Sequence, residues 1–224
     1  MTISRRHMFA CAFAMALLPC AADAQSLQPW RAKVTEFAAQ NLKHPAWGFS
    51  HSQRDYALAK SMAAADHVTL DDDVLFAAAY LHDMGAFKAF AEDKQEHGDV
   101  AAAKIDLVLG ETDFPKAKLD AVRAAIRTHM YNYDPVGPEA RYLHDADALD
   151  WLGAIGVARL IALVDNGGAK PTGPDMIKGI ENNMTKVPPR IVTPAGKALV
   201  APLLAEEKAF LDALRRETDN LARL

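Results

Sequence analysis

The 224-residue sequence has only two cysteines, Cys11 and Cys20, and both lie among its first 24 residues. Beyond residue 24 there is no thiol, which excludes disulfides and thiolate zinc clusters of the finger kind. There is no run of lysine or arginine, and 25 basic residues against 29 acidic ones give a net charge of −4. That balance excludes the electrostatic footprint of a protein that binds a nucleic-acid polymer. After residue 24 no apolar stretch reaches the roughly 20 residues a membrane-spanning helix needs. No segment alternates apolar and polar residues convincingly, so no strand is expected. Internal repeats and low-complexity tracts are absent as well.

Residues 1–24 read as an export leader. Arg5-Arg6 precede an apolar run from Met8 to Leu18, followed by helix-breaking Pro19 and by Ala22-Asp23-Ala24 ahead of Gln25. A basic start, a short apolar centre and an A-x-A site make up a secretory signal peptide. Ser4-Arg5-Arg6 fits twin-arginine export and general secretion alike, although Phe9 stands one place later than a twin-arginine signal has it. Pro19 occupies the place before Cys20 where a lipoprotein signal wants a small residue. The expectation is an exported, periplasmic protein. Losing Arg5, Arg6 and Asp23 leaves its mature chain one charge unit more acidic.

The remainder, 25–224, is the size of one domain and half of the whole chain is hydrophobic, enough for one sizeable core. Its periodicity is helical throughout. Gln28 to Leu42 places Trp30, Val34, Phe37, Ala38 and Leu42 at helical spacing, and His44-Pro45-Ala46-Trp47-Gly48 breaks the pattern. A second helix is expected over Ser52–His67, opened by His51. A third, capped by Thr69 or Asp71, carries Asp71-Asp72-Asp73 at its positive N-terminus. Phe87–Glu96 reads as a loop, His97–Leu109 and Pro115–Met130 as the fourth and fifth helices, and Glu139–Val164 as one long sixth helix ended by Asn166-Gly167-Gly168. Ala169–Val192 has the composition of a flap or an inert surface loop, with a short helix near Met176–Asn182. Thr193-Pro194 then starts a last helix, 193–220. The fold class is all-α.

The third helix ends in Ala77-Ala78-Ala79-Tyr80-Leu81-His82-Asp83-Met84-Gly85. An adjacent His-Asp pair on an apolar helix would bury charge at high cost unless the two side chains share a cation. His51, His82-Asp83 and an aspartate of Asp145-Ala146-Asp147-Ala148-Leu149-Asp150 supply imidazole and carboxylate donors suited to divalent transition metals. Asp145 and Asp147 lie about 200° apart around a helix, so both cannot face one ion, and spacing alone leaves the choice open.

Three blocks resemble the HD-domain superfamily. Trp47-Gly48-Phe49-Ser50-His51-Ser52-Gln53-Arg54 is similar to its H-x-x-R opening, Ala79–Gly85 to its "LHD-hydrophobic-G" helix, and Asp145–Asp150 with Gly153-Ala154-Ile155-Gly156-Val157-Ala158-Arg159 to the "DADxLD…GxxGxxR" helix of a bacterial subgroup. The likeness covers about residues 44–165.

The resemblance implies an all-α metal-dependent phosphohydrolase that cleaves a small phosphorylated or nucleotide-like substrate with metal-activated water. It selects Asp147 as the ligand aspartate beside His51, His82 and Asp83. It makes Asp83 the centre of the catalysis and Arg54, Lys88 and Arg159 candidates to hold phosphate, although Lys88 and Arg159 also suit surface or supporting positions. Family members with two metals take further histidines from the next two helices, here His97 and His129, with Asp83 as the bridge. The cofactor would be one or two divalent ions, with manganese, iron, zinc, cobalt, nickel and magnesium undistinguished. A di-iron oxygenase and a non-catalytic metal-binding protein are the alternatives. His44, His67 and His144 read as structural or solvated. The chain departs from the family where HD nucleotidases carry a glutamate, with Ala86 and Phe87 there instead, and at Ala148, which replaces the basic residue of "DADRLD". It also lacks a GYP motif.

Overall fold

A computed structural model describes residues 28–164 and 173–224. The leader, residues 1–24, and the Asn166-Gly167-Gly168 stop signal lie outside the described residues, as does the start of the 169–192 segment. Among the described residues there is no strand, and none of the helices is long and apolar enough to cross a membrane.

Helix α1 (Pro29–Asn41) opens with proline at its first position and buries Trp30, Val34 and Ala38, four residues apart on one face. Helix α2 (Phe49–Ala65) starts three residues earlier than the sequence suggests, because Gly48 presses its backbone against that of His44 and Leu42, where a Cβ has no room. His51 therefore sits inside the first turn. Helix α3 (Asp72–Leu81) is capped by Asp71, whose carboxylate accepts from the backbone N–H of Asp73 and Val74. Every residue from Val74 to Leu81 is buried, and Ala77, Ala78 and Ala79 let neighbouring helices approach closely. Arg31 and Lys118 bind the exposed flank of the aspartate triple at 2.6–2.8 Å.

After α3 a 3₁₀ turn, Met84–Ala86, leads to the loop before α4 (His97–Lys104), and a short helix α5 (Asp106–Leu109) continues it past a bend at Ile105. Gly85 packs its Cα directly against the backbone of His97, so the turn and the start of α4 are locked together. Helix α6 (Leu119–Arg127) is shorter than the periodicity suggests. Its first turn is the 3₁₀ segment Lys116–Lys118, and His129 falls beyond its end rather than in its last turn.

The expected single helix 139–164 is two. Helix α7 (Pro138–Leu149) and helix α8 (Gly153–Val164) are separated at Asp150–Leu152, where Gly153 takes a left-handed φ of +66°. Only glycine adopts that conformation without strain, and the break turns Trp151 and the α8 residue Arg159 back toward α2. Helix α9 (Gly173–Lys186) is longer than the short helix expected. It buries Ile177 and Ile180 with Val157 and Leu211 in a small second core beside α8 and α10 (Pro194–Glu217). The described part of the 169–192 segment is thus a packed helix followed by a 3₁₀ turn at Pro188–Arg190, neither flap nor loose surface loop.

Glu207 of α10 is fully buried, and among the described residues neither carboxylate oxygen has a hydrogen-bond partner. Burial, reinforced by Glu206, pushes its pKa from 4.5 up to about 8. The folded state then holds a proton that the unfolded chain releases above pH 4.5, so stability is lost as pH rises from 4.5 toward 8 and is flat beyond. Glu207→Gln is expected to melt like wild type at pH 4.5 and at higher temperature than wild type at pH 8.5. Thermal melts of both proteins across that range check it.

Candidate metal centre

Five segments converge on one point inside the bundle. Helix α2 brings His51, the end of α3 brings His82 and Asp83, α7 brings Asp147, and the start of α4 with the segment after α6 brings His97 and His129. His51, His82 and His129 are fully buried, Asp147 and Asp83 nearly so, and His97 is a quarter exposed.

Asp83 divides the cluster in two. Its Oδ2 lies 3.3 Å from His82 Nε2 and 3.5 Å from His51 Nε2, while its Oδ1 lies 3.3 Å from His97 Nε2 and 3.7 Å from His129 Nε2. Within each pair the Nε2 atoms are 3.3 Å apart. Asp147 Oδ1 completes the first side at 3.3 Å from His51 Nε2.

The far side of three imidazoles is anchored. His82 Nδ1–H donates to the carbonyl of Ala79 at 2.9 Å, His129 Nδ1–H to that of Ile126 at 2.6 Å, and His51 Nδ1–H to Asp150 Oδ2 at 2.8 Å. With Nδ1 carrying the proton, each Nε2 lone pair points inward, which is how metal-ligating histidines are oriented. Two lone pairs facing each other at 3.3 Å repel unless a cation lies between them. An ion with bonds of 2.0–2.1 Å in tetrahedral geometry sets neighbouring donors about 3.3 Å apart. The donor set and its spacing therefore fit divalent metal.

Without metal the same crowding shows in the proton affinities. Burial alone lowers the His51 imidazolium, but Asp55, Asp147 and Asp150 outweigh it and push its pKa up to about 10. Burial opposes ionisation of Asp83 and Asp147, yet the surrounding histidines hold both below the usual carboxylate range. His82 moves down because of its burial, against the pull of Asp83.

Asp150 is the organiser of the first side. It accepts from His51 Nδ1, from Arg54 Nε and Nη2 at 2.8 and 2.7 Å, and from Arg159 Nη1 at 3.1 Å. Arg54 thus clamps Asp150 and is not part of the cavity wall. Lys88 is exposed and likewise outside it. Arg159, far from being a surface residue, is buried, donates to the carbonyl of Ala46 at 2.6 Å, and stacks 3.7 Å over Trp151. Asp145 points the other way. It accepts from the N–H of Val192 and Thr193 and from the Thr193 hydroxyl, tying α7 to the start of α10, so only Asp147 of that pair faces the cluster. His144 supports Asp145 at 2.9 Å, and His44 stacks on Trp47.

A cavity of about 230 Å³ opens onto the cluster. Asp83, His97 and Asp147 reach its wall, which is otherwise Trp47, Ala86, Met130 and Trp151 with Arg159. Sequence reasoning missed Asp55 and the roles of Asp150, Trp47 and Trp151. The signal for the first two was periodicity: Asp55 lies four residues after His51 and Asp150 three after Asp147, so each shares a helical face with a ligand candidate.

Asp150→Ala leaves the buried Arg159 and the His51 ring without their acceptor. The expected cost is about 3 kcal/mol of stability and a ten- to hundredfold loss of metal affinity, read by urea denaturation and by elemental analysis after dialysis. Gly85→Ala displaces His97, so any metal held on the His97 side is expected to be weakened and any held on the His51 side to be spared, read by the same analysis.

The HD-domain family model matches residues 48–152, which span the opening histidine, the His-Asp pair and Asp147. No curated protein matches the chain. Among solved structures, a Lactobacillus plantarum protein is 23% identical with a TM-score of 0.65, covering 84% of this chain and 96% of its own. A predicted HD superfamily hydrolase from an uncultured Thermotogales bacterium is 20% identical with a TM-score of 0.62, covering 86% and 95%. Bacillus subtilis YpgQ, in complex with ADP, is 17% identical with a TM-score of 0.62, covering 84% and 94%. These structures share the fold.

Proposed function

We propose that this chain is an HD-superfamily, metal-dependent phosphohydrolase that cleaves a small phosphate ester with two divalent ions at the Asp83 cluster. The observation that carries the reading is Asp83, whose two oxygens each face a different pair of inward-pointing Nε2 atoms. When bound there, divalent ions lower the pKa of water and offset charge on a phosphoryl oxygen. The chain's own residues do the rest. Asp83 and Asp147 reach the cavity as carboxylates held ionised by their histidines, and there they would hold the ions and orient the attacking water. Trp47, Met130 and Trp151 give the leaving group an apolar bed and keep bulk water away. Arg159 is the cation of the wall, but its guanidinium is already engaged by Ala46 and Asp150. Phosphate charge is therefore met chiefly by the ions, in keeping with Ala148 at the family's basic position. Arg54 and Lys88 take no part in holding phosphate in this arrangement. The leader-like sequence of residues 1–24 supports a reaction outside the cytoplasm.

The test is a panel of phosphomonoesters, sugar phosphates and nucleotides, ADP among them, offered to protein stripped with chelator and reloaded with single metals. Hydrolysis is expected only after reloading, and His82→Ala is expected to lower it by about a thousandfold, the equivalent of several kcal/mol of lost charge stabilisation. No turnover of any ester with any metal overturns the reading. The same six donors and the apolar walls suit a di-iron oxygenase, which native iron content with a mixed-valence EPR signal would reveal.

A further inference from the structure

We infer that Asp55 is a fifth donor to the ion on the His51 side, so that the two metal positions are unequal: one nearly closed by protein, the other open to substrate. The inference rests on the preceding reading that ions fill the Asp83 cluster.

Asp55 belongs to no motif discussed above. It lies on α2 one turn after His51, is fully buried, and among the described residues neither carboxylate oxygen has a hydrogen-bond partner. Its Oδ2 is 3.1 Å from His51 Nε2 and 3.7 Å from His82 Nε2. Both imidazoles commit their Nδ1 protons elsewhere, to Asp150 and to the Ala79 carbonyl. Only a proton on His51 Nε2 or a cation among these atoms relieves a carboxylate oxygen aimed at two Nε2 atoms, and a buried carboxylate with no further donor is costly. One divalent cation among these atoms removes both penalties.

The donor sets then differ. On the first side stand His51, Asp55, His82, Asp83 Oδ2 and Asp147, two imidazoles and three carboxylates. On the second stand Asp83 Oδ1, His97 and His129. Counting Asp83 on both, the protein offers five donors on the first side and three on the second. Each side has one donor at the cavity wall, Asp147 on the first and His97 on the second, while His51, Asp55, His82 and His129 are fully buried. The first ion is held tightly by three negative charges. The second exchanges and presents its free positions to substrate.

The experiment measures metal retention rather than turnover. Full-length mature protein is stripped, reloaded with Mn²⁺, passed through gel filtration and analysed for metal, with affinities read by calorimetry. Wild type is expected to show a tight and a weak class of site, one ion surviving filtration. Asp55→Asn and Asp55→Val are expected to weaken the tight class at least tenfold and leave the weak class unchanged, and His97→Ala to do the reverse. If both Asp55 variants keep the tight ion within twofold of wild type, Asp55 is merely an ion-pair partner of His51 and the inference is overturned. Wild type that binds no ion sinks the proposed function itself, a distinct result. Should neither variant fold, as judged by circular dichroism, wild type loaded with one equivalent of Co²⁺ still decides. The weak visible absorption of five- or six-coordinate cobalt supports five protein donors, and intense tetrahedral bands overturn them.

Discussion

The structure depends on keeping one carboxylate, Asp83, between two pairs of histidines in the middle of a helical core. No side chain in a protein interior is less at home than an ionised carboxylate without a partner, and here Asp55, Asp147 and Asp150 are buried nearby as well. The surrounding elements answer this concentration of charge. Helix α3 is apolar on all sides, so α2, α6 and α7 can pack around it and deliver their donors from different directions. Gly85 lets α4 seat directly on the turn after Asp83, which brings His97 to its second oxygen. Asp145 ties α7 to α10 and thereby fixes the helix that carries Asp147.

Orientation is settled one layer out from the cluster. Each of three imidazoles gives its Nδ1 proton to a fixed acceptor, and two of those acceptors are backbone carbonyls at helix ends, where unpaired carbonyls are available in any case. His51 differs in using Asp150, which in turn is held by Arg54 and Arg159. That arrangement couples α2, the α7–α8 break and α8 into one unit. It also explains why the break exists: a continuous helix would carry Arg159 away from Asp150, and Gly153 supplies the backbone turn that brings it back.

The all-α class and most helix positions were legible because apolar spacing of three and four residues is a local property of the chain. Asp71 and Thr193 cap helices as their residue types suggest. His51, His82, Asp83 and Asp147 stood out through motif resemblance, and periodicity alone left Asp145 and Asp147 undecided. Contact with the Val192–Thr193 backbone, more than 40 residues away, is what turns Asp145 away from the cluster. The break at Asp150–Leu152 was not legible because no proline marks it and a lone glycine is tolerated in helices. The partners of Arg54 and Arg159 were not legible for a related reason: an arginine near a ligand can face substrate or face the carboxylate that holds the ligand, and sequence spacing is the same in both cases.

Arg159 also bears on what the cavity can accept. Its guanidinium bonds to Ala46 and Asp150 and stacks on Trp151, so its charge is spent on the protein's own carboxylates. An anionic substrate entering a space of about 230 Å³ walled by Trp47, Met130 and Trp151 finds little other positive charge there than what the cluster itself holds. In the proposed reaction the ions that relieve repulsion among buried carboxylates are then the same ions that bind substrate. Stability and substrate affinity are linked through metal occupancy. On the proposed reading, a compact ester with an apolar body suits such a cavity better than a polyphosphate chain, which would need a row of free cations.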